Sequence, residues 1–245
     1  MKELFEVDEL QQYCGMGLDI CKGLSVLQPT VGDIVEVGEI EYFSMVYTLT
    51  AIPSDLIAQL DKAGVDWEKI EDFELFCMLA PSLKEDCTKV LFGDLSFPDF
   101  NIVPLEDQRG CILRNDQTGV VIDELRYKAI THYLCTMHHI KKQPRTAGNA
   151  FTHKMMVDMA YEDLKKNQIK KPQSMMKSLI STMVNMPGFK YNRSELMKVG
   201  FCEFMDSVSR IQMINSAQAL LQGCYAGNVD MKKIDKSELN YMRDI

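Results

Sequence analysis

The longest uninterrupted helical pattern in the chain runs from Gly200 to Gly227, where Phe204, Val208, Ile211, Ile214, Ala217, Leu221 and Cys224 recur at spacings of three and four. That spacing places them along one face of a helix that needs a packing partner. Shorter patterns precede it. Residues 1–14 read as a short helix, and Leu18 to Cys21 with Leu24 to Leu27 around Gly23 read as a hairpin. Thr30, with Asp33 three residues on, opens a helix broken at Gly38, after which Ile40, Phe43, Val46, Tyr47 and Thr50 continue one face. Pro53-Ser54-Asp55 restarts the pattern through Leu56, Ile57 and Leu60 up to Gly64, a position suited to a left-handed C-terminal cap. Asp66 is then expected to cap a helix carrying Trp67, Ile70, Phe73 and Cys77, which Pro81 ends.

Between Thr88 and Asp123 the pattern changes to KVLF, FNIVPL, RGCILR and TGVVID, punctuated by Pro98, Pro104, Gly110 and Gly119. These short apolar segments predict a small antiparallel sheet, with a strong turn over Arg114 to Gly119. Asp123 caps a helix to about Lys142, with Leu125, Ala129, Ile130, Tyr133, Leu134 and Met137 on its apolar side. A helix from Thr152 to about Asn167, another in SMMKSLISTMVNM, a short one at Ser194 and Glu195, the long one from Gly200, and a last one beginning at Asp235 complete the chain. The predicted fold is α+β and mainly α-helical. Residues 1–87 form an N-terminal helical region, 88–123 a small central antiparallel sheet and 124–245 a C-terminal helical bundle, with a single domain as the alternative.

Composition narrows the function. A 46% hydrophobic content suits a chain that buries a core, and the net charge is 27 − 35 = −8. Acidity of that size argues against nucleic acid as a partner, since non-specific binding draws on phosphate neutralisation. No apolar run approaches the roughly 20 residues that span a bilayer, and the N-terminus is too acidic for a signal peptide, so the expected location is the cytoplasm of the cell that makes it, with no membrane contact. The eight cysteines contain no CxxC pair and read as reduced thiols. Seventeen methionines suit irregular cores and adaptable binding surfaces alike.

Candidate chemistry is sparse. His132, Cys135 and His139 fall at i, i+3 and i+7 of one predicted helix, beside His138, and imidazole with thiolate suits zinc. A fourth ligand would have to come from elsewhere, with His153 the one remaining histidine. The alternative is a helix with ordinary surface histidines and one buried thiol. Cys135 with His139 also stands as a thiol nucleophile, although nothing local supplies an oxyanion hole. Asp66, Glu68, Glu71, Asp72 and Glu74 crowd one predicted helix and read as its solvated face. Asn228 to Leu239 fails as a calcium loop, because Lys233 stands where glycine is needed and Leu239 where glutamate is needed. Lys141, Lys142, Arg145, Lys165, Lys166, Lys170 and Lys171 form two basic connectors suited to phosphate or an acidic protein. No cofactor is implied. Asp206 and Arg210 stand four apart in the acid-first order that favours an ion pair, and they join Tyr225 and Tyr241 as candidate interface residues.

Three segments carry a resemblance: PTVGDIVEVGEIEYFSMVYTLTAIPSD (Pro29 to Asp55), FMDSVSRI (Phe204 to Ile211) and GNVDMKKIDKSELNYMRDI (Gly227 to Ile245). They resemble small proteins encoded among the tail and baseplate morphogenesis genes of bacteriophages and prophages of Gram-positive bacteria. The resemblance implies a non-enzymatic role, as a baseplate component or an assembly chaperone, with other tail or baseplate proteins, or a second copy of the chain, as partners. It places the chain in the cytoplasm of the bacterial host and also admits a place in the virion tail. It transfers no catalytic residues. A metal- or thiol-dependent enzyme using the His132, Cys135 and His139 face and a host-directed or nucleic-acid-binding regulatory module are the alternatives.

Overall fold

The first well-formed helix shows how local sequence sets the architecture. Thr30 accepts the Asp33 backbone N–H through its side chain, while the Asp33 carboxylate takes the Thr30 N–H at 2.8 Å, so two orphan donors of the helix start are satisfied together. In the computed structural model, which describes residues 7–105, 110–169 and 173–243, this pairing begins the second of the helices in chain order. The N-terminal elements are α1 (Glu9–Tyr13), the hairpin β1 (Leu18–Cys21) and β2 (Leu24–Val26), α2 (Val31–Val37) and α3 (Glu39–Thr50). Next come α4 (Ile57–Lys62), α5 (Asp72–Leu79) and α6 (Glu85–Phe92). The antiparallel sheet β3 (Phe100–Pro104), β4 (Cys111–Asn115) and β5 (Val121–Ile122) follows in the order β3-β4-β5. The remainder is α7 (Glu124–Met137), α8 (Ala150–Ile169), α9 (Met175–Asn185), α10 (Arg193–Leu196) and α11 (Phe201–Tyr225). The fold is α+β and mainly helical.

The main core draws Leu24, Ile34 and Tyr42 from the N-terminal part, Phe97, Leu113 and Ile122 from the sheet and its approach, and Ile130, Leu134 and Phe204 from the C-terminal helices. Each of the three segments expected from the sequence therefore contributes to one apolar cluster. A second, smaller cluster gathers Ala51, Ile57, Leu60, Trp67 and Leu75 under Met156, Val157 and Ala160 of α8.

Backbone pairing ties distant elements together. Val31 and Gly32 donate to the carbonyls of Val199 and Met197, and Phe201 donates to Pro29, each at 2.9 Å. The N-termini of α2 and α11 are thereby fixed against each other. Gly32 is required there: a Cβ at that position would stand 2.5 Å from the Met197 carbonyl oxygen.

Several expectations need correction. KVLF is not a strand but the second half of α6, because Glu85 and Asp86 in its first turn and a glycine cap at Gly93 complete a helical segment that a strand reading cuts in two. Asp66 caps only a turn, accepting the Glu68 N–H at 3.1 Å, and the helix proper begins at Asp72, where Glu74 accepts the Glu71 N–H. In α3 the inward face is Tyr42, Met45, Val46, Leu49 and Thr50, while Ile40 and Tyr47 lie half exposed. Gly38, at φ +103°, turns the chain between helices, so the face of α2 does not continue into α3. α7 stops at Met137 rather than near Lys142. The predicted last helix is a single 3-10 turn over Lys236–Leu239, and residues 1–6 of the first predicted helix lie outside the described residues.

Candidate partner-binding surface

α8 begins at an asparagine cap, where the Asn149 side-chain oxygen accepts the Thr152 N–H at 2.9 Å. Met156, Val157 and Ala160 then turn one face onto the smaller core, and the Tyr161 hydroxyl donates to Asp61 of α4 at 2.9 Å. The helical period sends Phe151, Met155 and Met159, at i, i+4 and i+8, to a different face, where they are 74%, 46% and 59% exposed. The described residues leave this stripe of large apolar side chains largely uncovered. Asp158, Glu162 and Asp163 stand exposed beyond it, with the Lys166 ammonium 3.6 Å from both Glu162 and Asp163. Such a surface offers an apolar, adaptable contact rimmed by negative charge.

The four residues expected at an interface divide. The Asp206 to Arg210 pair forms, at 3.9 Å, but the Arg210 guanidinium also donates to the carbonyls of Tyr241 and Arg243 at 2.9 and 2.7 Å. That edge is used by the chain's own C-terminal segment, which folds back on α11. Tyr241 remains half exposed and Tyr225 stands 83% exposed at the end of α11. The apolar face read along the whole of α11 is buried at Phe201, Phe204, Val208 and Ala217, whereas Ile211, Ile214 and Leu221 are only partly covered.

The His132, Cys135 and His139 face does not assemble. α7 ends at Met137 and His139 turns away in a left-handed conformation, φ 52°, so the i+7 relation is lost. His132 is exposed, and burial raises the pKa of the Cys135 thiol, which disfavours the thiolate needed by a metal or a nucleophile. His138 is instead a structural group. Its Nδ1 lies 2.9 Å from the Leu134 carbonyl, which only accepts, so Nδ1 carries the proton and Nε2 accepts from the Tyr42 hydroxyl at 2.8 Å. Burial depresses its pKa to about 4 and keeps the ring neutral.

The basic connectors are also partly engaged. Arg145 donates to Ser54 through its backbone N–H and its guanidinium, and the Lys142 ammonium lies 5.8 Å above the Tyr127 ring. Lys141 and Lys165 stand exposed, and Lys170 and Lys171 lie outside the described residues. What sequence reasoning missed is the convergence of Asp66 and Glu68 with His153, the one group of metal-ligating side chains that meets among the described residues. Its members are far apart in the chain, so no local spacing reports it. The α8 stripe, by contrast, was present in the sequence as an i, i+4, i+8 apolar series.

No family model, curated protein or solved structure matches the chain. Among the described residues, no helix is long and apolar enough to cross a membrane.

Proposed function

We propose that the chain works without catalysis, by binding another protein during phage tail or baseplate assembly, as a structural component or an assembly chaperone. The exposed Phe151, Met155 and Met159 stripe on α8 carries this reading. Large apolar side chains left in water forgo roughly 1.5–3 kcal/mol each of burial free energy, and covering them by a partner recovers part of it. The tail-assembly setting is what the resemblance of Pro29 to Asp55, Phe204 to Ile211 and Gly227 to Ile245 implies. The acidic rim of Asp158, Glu162 and Asp163 favours a partner whose contact surface is apolar with basic edges.

Native mass spectrometry of the chain captured from phage-producing cells tests the proposal. The expected result is a defined complex with a tail or baseplate protein, lost in a Met155→Glu, Met159→Glu double variant that keeps the wild-type circular dichroism. Recovery of the wild-type chain alone, or a complex indifferent to the double variant, contradicts it.

A further inference from the structure

Where the loop before α5 meets the first turn of α8, three side chains from two distant segments converge. The His153 Nε2 lies 3.6 Å from Asp66 Oδ1 and 3.8 Å from Glu68 Oε2, and the three ligand atoms all stand within 4.8 Å of one another. Ligands bound at about 2.0–2.2 Å around a tetrahedral zinc ion stand about 3.3–3.6 Å apart, so the two histidine–carboxylate spacings need little adjustment to accept one, and the carboxylate–carboxylate spacing has to close by at most about 1.5 Å. The side chains are between 31% and 37% exposed, which leaves room for a water molecule at a fourth position.

The surroundings hold each ligand in place. Lys69 lies 2.8 Å from Asp66 Oδ2, while Oδ1, which also accepts the Glu68 N–H at 3.1 Å, faces the histidine. The Ala147 N–H donates to Glu68 Oε1 at 2.8 Å, leaving Oε2 on the same side. The buried Trp67 ring stacks on the His153 imidazole, with centroids 5.5 Å apart and planes 16° from parallel. Outer contacts of this kind fix ligand orientation in metal sites. Without a metal the same group is an exposed pairing of a histidine with two carboxylates, worth little to stability.

We infer that Asp66, Glu68 and His153 bind a divalent transition-metal ion, with zinc the best match to one imidazole and two carboxylates, and that the ion clips the base of α8 to the loop before α5. The site is independent of the stripe on the other face of α8 and does not require the proposed partner.

Titration of the full-length, untagged chain with zinc by calorimetry, and with cobalt(II) by absorption spectroscopy, tests the assignment. One equivalent is expected, reversible by chelator, with a cobalt spectrum that lacks thiolate charge transfer and a thermal midpoint that rises with the ion. His153→Ala is expected to weaken binding at least about tenfold. Glu68→Gln keeps an acceptor for the Ala147 N–H while removing the charge, and it is expected to weaken binding as well, so a folding defect in the first variant does not decide the outcome. Magnesium and calcium are expected to bind far more weakly, since both prefer all-oxygen sites. Absence of a binding isotherm, a cobalt spectrum dominated by thiolate, or unchanged affinity in both folded variants would overturn the assignment.

Discussion

α7 and α8 follow one another in the chain, each starting at an Asp or Asn cap, yet they have opposite fates. α7 buries seven of its residues, among them Ile130, Tyr133, Leu134 and Met137 in the main core, and it supports the aromatic cage around His138. α8 is longer and has no fully buried residue among those whose side chains are described; it rests on the small core through Met156, Val157 and Ala160 and turns Phe151, Met155 and Met159 outward. The difference lies in the arrangement of apolar residues rather than their number. In α7 they meet helices and sheet on several sides, while in α8 they divide into two faces of which only one is met. A helix held on one side is suited to receive a second partner on the other.

The comparison predicts a graded set of outcomes. Leu134, with no exposure, sits in α7 where truncation leaves a cavity; Leu134→Ala is expected to cost about 2–5 kcal/mol in chemical denaturation. His138, which caps the end of α7, makes the same region sensitive to acid. Its folded pKa, about 4, lies below the ordinary 6.5, so between those values the unfolded chain takes up a proton that the folded chain refuses. Stability from this group is complete above pH 6.5 and falls as the pH drops toward 4. Between pH 7 and pH 5 the loss is about 2 kcal/mol, measured as the difference from His138→Gln, which retains a polar partner for Tyr42. At α8, Asn149→Ala removes one cap and is expected to cost about 1 kcal/mol. Met159→Ser is expected to change stability by no more than about 0.5 kcal/mol while weakening partner binding; a cost as large as that of Leu134→Ala would mean the stripe is covered in the free chain.

Much of the fold was legible because its signals are local. The Thr30 and Asp33 capping box, the Gly38 break, the β1 to β2 hairpin, the Asn115 to Gly119 turn and the Asp123, Ser174 and Gly200 helix starts all follow from residues within one turn of each other. Faces were harder to read. Periodicity marks where apolar residues align but not which side finds a neighbour, so Ile40 and Tyr47 were placed inward in α3, and the face of α11 was read as buried well beyond Val208. The site was least legible. Asp66 and Glu68 resemble any solvated acidic stretch until the fold brings His153 beside them, and Arg210 shows its engagement only once the C-terminal segment returns to α11.

The central claim is that the outer face of α8 meets a protein partner. A photo-crosslinking residue placed at Met155, compared with the same residue at Ile102, which is similarly exposed on β3, tests it in phage-producing cells. The account predicts an adduct with one tail or baseplate protein from position 155 and none from position 102. Equal yields from both positions, or no adduct from 155, would contradict it.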